Sequence, residues 1–146
     1  MTDPEILRAK AKKNNTMCIS DTCPLRQNCL HRIVADYVEE QREHCVYVNH
    51  RTPALGTNAC PFHRPATKVR MAKGMTRIYT DDMPRRVEHG VRHRFILRYN
   101  RTYYFEYRNG TRLISPALQQ EIRKLFRSYG WTGPVEFDSY VEVYEW

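Results

Sequence analysis

Five cysteines offer the most specific chemistry in this chain of 146 residues. Cys18, Cys23, Cys29, Cys45 and Cys60 all fall in the first 60 residues, and none occurs afterwards. The series Cys18-x4-Cys23-x5-Cys29, followed after a gap of thirty residues by Cys60, supplies four thiolates. Tetrahedral zinc takes four nitrogen or sulfur ligands, and soft thiolates suit it. Turn-forming residues between Cys18 and Cys23 let both thiols approach one ion, and Cys60-Pro61 brings in the second arm. The expected zinc ligands are therefore Cys18, Cys23, Cys29 and Cys60, with His63 as the first substitute and His31 in reserve. Two alternatives stay open. The same thiolates suit an iron–sulfur cluster, and both Cys23 and Cys60 precede proline, as some cluster ligands do. In a metal-free protein the cysteines are core residues: Cys29 falls between Leu25 and Ile33 at helical spacing, and free cysteine is often simply buried. Cys45, beside His44 in a β-prone run, reads as a core thiol.

The second chemical signal is charge. The net charge is +8, but from Arg64 to Arg112 thirteen Lys/Arg stand against four Asp/Glu, a local +9. Residues 135–146 hold four acids and no base. A basic middle is a candidate surface for nucleic acid or an acidic protein, unless the acidic end neutralises it internally. The run Arg98-Tyr99-Asn100-Arg101-Thr102-Tyr103-Tyr104-Phe105-Glu106-Tyr107-Arg108 interleaves bases with aromatics. Read as a strand, it sends Tyr103, Phe105 and Tyr107 inward beneath a helix and leaves Tyr104 and Arg108 exposed. The expected contacts are Arg92, Arg94, Arg98, Arg101, Tyr104 and Arg108. The glycine-bearing signature of RNA-recognition modules is not matched. His89 and His93 are four apart, but a third ligand is missing nearby, so they read as solvent-facing. No Gly-rich phosphate loop, nucleophile elbow or metalloprotease motif appears, and no catalytic residue is assigned.

The elements that must position these residues are legible in outline. Thr2-Asp3-Pro4-Glu5 is a capping box for a first helix running to about Lys13 and ended by Asn14-Asn15. Pro24 starts a second helix reaching about Gln41. Asp81-Asp82 cap a third, with Val87, Val91 and Phe95 along one stripe. Asn109-Gly110 reads as a type I′ turn joining Thr102–Arg108 to Thr111–Ile114 in a hairpin. Ser115-Pro116 opens a fourth helix with the stripe Leu118, Ile122, Leu125, Phe126. Ser139 to Glu145 alternates as a last strand. The fold class is α+β. A Cys-bearing helical part, 1–64, packs on a helix–hairpin–helix–strand part, 65–146, in one compact body. An odd cysteine count without an export signal argues against a disulfide framework and for a cytoplasmic protein, and nothing approaches a membrane span.

Several of these marks recur together: Cys18-x4-Cys23-Pro24-x4-Cys29, Cys60-Pro61, Arg108-Asn109-Gly110, Ser115-Pro116, Gln119-Gln120, Phe137-Asp138-Ser139-Tyr140 and the terminal Trp146. The pattern resembles an uncharacterised family of small bacterial proteins with a Cys-rich N-terminal half. The resemblance implies a bacterial cytosolic protein and brings no activity with it. The residues themselves lead to a non-enzymatic, metal-stabilised binding module, with an iron–sulfur or thiol redox protein and a metal-free interaction protein as the alternatives.

Overall fold

A computed structural model describes residues 3–13 and 15–146. The fold is α+β. In chain order it has α1 (Asp3–Lys12), a 3-10 turn (Arg26–Asn28), α2 (Leu30–Ala35), β1 (Lys68–Lys73), α3 (Arg85–Asn109), α4 (Pro116–Ser128) and β2 (Ser139–Tyr144). The chain divides into two units, Met1–Thr67 with Tyr144–Trp146, and Lys68–Val143. Among the described residues no helix is long and apolar enough to cross a membrane.

In the first unit, α1 buries Leu7 and Ala11 in a core with Met17, Leu30 and Val34. Leu7 and Ala11, four apart, are the buried face of this otherwise exposed or half-buried helix. The expected capping residue Thr2 and Asn14 of the expected exit lie outside the described residues. The expected helix from Pro24 to Gln41 is interrupted. Cys29 is extended (φ −126°, ψ 116°) and separates the 3-10 turn from the six-residue α2. The cause is competition for backbone groups. Cys29 pairs antiparallel with Pro65, the Leu30 N–H donates to the Arg64 carbonyl at 2.8 Å, and the Ala66 N–H donates to that of Asn28 at 3.3 Å. A continuous helix would have kept those groups for itself. The β-prone run after Cys45 forms a parallel bridge between Tyr47 and Met17.

In the second unit, β1 and β2 form a two-stranded antiparallel sheet. Ile114 extends it by exchanging two 2.9 Å hydrogen bonds with Ala72. Val87, Val91 and Phe95 of α3 and Leu118, Ile122 and Phe126 of α4 share its core. The Ser115 hydroxyl accepts from the Leu118 N–H at 3.2 Å and Pro116 opens the helix, as expected. Buried Gln119 ties α4 to β1: its amide donates to the carbonyls of Arg70 and Ile114, each at 3.0 Å.

The expected hairpin is not formed. Residues 99–108 are helical, and α3 runs to Asn109 with one break, at Asn100 (φ 68°, ψ 167°). The Asn100 side-chain oxygen accepts from the Tyr103 N–H at 3.0 Å, so the break is capped like a helix start. Packing overrides β composition here. The break at Asn100 turns the second helical half back on the first, so Phe95 lies 5.0, 5.6 and 5.7 Å from the ring centroids of Tyr99, Tyr104 and Tyr107, where an unbroken helix would set residues 95 and 107 about 18 Å apart. Asn109-Gly110 serves a different purpose from the one expected. Gly110 (φ 78°) is the left-handed cap that ends α3. Asp81 and Asp82 are exposed, and the α3 N-cap is Pro84 with no side-chain cap.

One carboxylate joins the ends of the sheet. Asp138 accepts from the Thr76 N–H (3.1 Å), the Thr76 hydroxyl (2.8 Å) and the Arg77 N–H (3.0 Å), and its own N–H donates to the Gly74 carbonyl (3.0 Å). A Cβ at Gly74 would stand 2.5 Å from the carboxylate, and φ of +82° there also favours glycine. Burial alone would raise the Asp138 pKa, but the donors of Thr76 and Arg77 outweigh it and hold it below its usual value. Stability from this group is then complete above the unfolded carboxyl pKa of about 3.9 and is lost as pH falls through the lower folded value. Asp138→Ala should cost about 1–3 kcal/mol at pH 7 in urea unfolding. The gap from the parent protein should narrow steadily below about pH 3.9; a gap that stays constant in acid would contradict this account.

Candidate functional site

The four thiols expected from spacing border one cavity. Cys18, Cys23, Cys29 and Cys60 line one cavity of about 20 Å³ in the first unit, together with His31 and His63. Two similar turns present Cys23 and Cys60. The Cys23 carbonyl accepts from the Arg26 N–H and the Cys60 carbonyl from the His63 N–H, both at 3.2 Å, with Pro24 and Pro61 directly after the cysteines. Proline with its fixed φ favours the second position of such a turn. The Ser20 N–H lies 3.5 Å from Cys18 Sγ, a donor aimed at the sulfur. Cys29 enters from the extended bridge to Pro65. Both histidines are oriented by backbone: His31 Nδ1 lies 2.6 Å from the Thr16 carbonyl and His63 Nε2 2.9 Å from that of Asn28. That leaves one ring nitrogen of each uncommitted by these contacts. Cys45 stands apart, packed against the core formed by α1 and α2. All five cysteines are free. Among the described residues, no three or more His, Cys, Asp or Glu side chains stand in a metal-holding arrangement. The thiols line the cavity without converging on a common point. His89 and His93 are exposed on α3.

The six basic-surface residues divide between two faces of α3. Arg92, Arg101, Tyr104 and Arg108 line one pocket of about 380 Å³ with Ile96 and Phe105. Arg94 and Arg98 line a separate cleft toward α4, where Arg98 pairs with Glu121 at 3.2 Å. Among the described residues, no acid lines the first pocket. Arg92 is held by Glu88 at 2.8 Å, and its Nε is buried with no hydrogen-bond partner among the described residues. The Tyr104 hydroxyl beside it raises the Arg92 pKa, so the charge is secure. Tyr104 also bonds the Tyr79 hydroxyl at 3.1 Å, and burial pushes the Tyr79 phenol upward.

Helix in place of strand reverses the aromatic pattern. Tyr104, expected on the exposed face, is 1% exposed, whereas Tyr103 and Phe105, expected inside, are 40% and 38% exposed. Phe105 is therefore the open ring at the pocket, with the Arg101 guanidinium 5.6 Å from its centroid. Phe105 and Ile96 join the site without being expected there. Their signal is present in the sequence: Arg101, Tyr104, Phe105 and Arg108 follow the i, i+3, i+4, i+7 spacing of a helix face, and Arg92 and Ile96 stand four apart.

No curated protein and no solved structure matches the chain. A family model does match, over residues 1–146, and the chain belongs to that family, the family of unknown function DUF6078.

Proposed function

We propose that this chain is a non-enzymatic, zinc-stabilised module that binds single-stranded nucleic acid through the arginine pocket on α3. The observation that carries the binding reading is the composition of that pocket: Arg92, Arg101 and Arg108 beside the open ring of Phe105, with no acid among the lining residues described. Guanidinium groups neutralise phosphates, and an exposed aromatic face stacks an unpaired base. A duplex offers no such base, so a single strand is the better fit. The buried Nε of Arg92 adds an unsatisfied donor beside the pocket.

The zinc reading rests on the gathering of Cys18, Cys23, Cys29 and Cys60 around one small cavity. Its volume of about 20 Å³ is close to that of a single water-sized site, which favours one ion over a four-iron cluster. Ligation would draw the four sulfurs inward from the cavity walls, and the Ser20 N–H would stabilise the Cys18 thiolate. Closed four-coordinate zinc of this kind contributes folding energy and performs no chemistry.

Elemental analysis of the purified protein should find about one zinc per chain. Cys23→Ser with Cys60→Ser should remove it, and a chelator should lower the melting temperature of the parent protein. Iron and visible absorption, or a metal-free protein whose melting ignores the chelator, would overturn the zinc reading.

Binding is measured separately, by fluorescence anisotropy with labelled oligo-U and oligo-dT against salt. Arg101→Ala with Arg108→Ala should weaken binding and make the salt slope shallower by roughly 0.7 for each phosphate no longer neutralised. Phe105→Ala should cost about 1–3 kcal/mol. Arg94→Ala, on the other face of α3, should change neither. Absent or salt-independent binding would contradict the nucleic-acid reading, and selective binding of an acidic polypeptide instead would redirect it to a protein partner.

A further inference from the structure

The cleft between α3 and α4 in the second unit encloses about 610 Å³, within the roughly 300–1,000 Å³ of small-molecule sites. Its walls are apolar: Phe95 and Leu97 from α3, and Leu118, Ile122 and Leu125 from α4. Leu97 is 67% exposed, so a long aliphatic side chain stands in water at the mouth. Charge at the rim is one-sided. Arg94, Arg98 and Lys124 line it, and Glu121 is the one acid among the lining residues described. That acid is already engaged, by Arg98 at 3.2 Å and by the Tyr99 hydroxyl, which donates to it at 3.0 Å. Arg94 and Lys124 have no carboxylate partner among the described residues.

An apolar hollow with a cationic rim calls for a ligand with an apolar body and an anionic head. We propose that the cleft binds an anionic amphiphile, with an acyl chain laid along Leu97, Leu118, Ile122 and Leu125 and a carboxylate at the Arg94 and Lys124 rim. A partner helix fits less well. One helical turn, 5.4 Å of a cylinder 10–12 Å wide, takes up about 400–600 Å³, so the cleft would hold a single turn of it. Neither the cysteine cavity nor the arginine pocket takes part, so failure of either leaves this site untouched.

The test is calorimetric titration of the full chain with dodecanoate, dodecan-1-ol and dodecylamine, dodecanoate and the amine below their micelle concentrations and the alcohol below its solubility limit. Dodecanoate should bind saturably, the alcohol at least about tenfold more weakly, and the amine not at all. Arg94→Glu with Lys124→Glu should weaken dodecanoate by at least about tenfold without moving the melting temperature, since both side chains are exposed. Leu125→Trp should fill the cleft and remove binding of every probe. Equal binding of all three probes, no saturable binding of dodecanoate, or dodecanoate affinity unchanged in the charge-reversed variant would overturn the proposal. Should the tryptophan variant fail to fold, the charge-reversed variant decides alone.

Discussion

The backbone pairing of Cys29 with Pro65 is the constraint on which the cysteine cavity depends. It costs the second helix its continuity, because the carbonyl of Asn28 and the N–H of Leu30 are used across the chain. In return it fixes the 60–66 segment beside the 28–30 segment. Cys60, distant from Cys29 in sequence, thereby comes to the same cavity as Cys18 and Cys23. The two Cys-Pro turns then aim their thiols locally. Their geometry follows from proline, but their meeting does not.

The second unit is governed by a parallel conflict between local and tertiary preference. Residues 99–108 have the composition of a strand but are helical, and the break at Asn100 turns this half back on the first so that Phe95, Tyr99, Tyr104 and Tyr107 meet in one aromatic cluster. The change of period also sorts the arginines. Arg92, Arg101 and Arg108 reach one pocket and Arg94 and Arg98 another, so the basic stretch is two surfaces of different character. One has an open aromatic ring among three guanidinium groups, and the other has an aliphatic floor. Asn100 bears the cost of the break between the two helical halves, in a backbone region that costs non-glycine residues about 1–3 kcal/mol.

Asp138 shows how one acid of the C-terminal stretch is used: it also pairs with Arg77 of the basic middle, at 3.8 Å. Its carboxylate is spent on the backbone of Thr76 and Arg77 and on the Thr76 hydroxyl, at the junction that brings β1 to β2. A single carboxylate thus closes the sheet, while Arg101 and Arg108 of the α3 pocket have no carboxylate partner among the described residues. Gln119 does the corresponding work for α4, satisfying the carbonyls of Arg70 and Ile114 from inside the core.

What the sequence determined by itself is whatever depends on neighbours in the chain. The α+β class, α4 with its Ser115-Pro116 start, the last strand, the apolar stripe of α3 and the candidate set of four thiols were legible because caps, proline and hydrophobic period act over a few residues. Only the tertiary structure decided where the second helix breaks, that Tyr104 is buried and Phe105 open, and that Asn109-Gly110 ends a helix instead of turning a hairpin. Each of these turns on a partner distant in sequence: Pro65 for Cys29, Tyr79 for Tyr104, and Ala72 for Ile114. A backbone or aromatic group has more than one way to be satisfied, and distant contacts select among them.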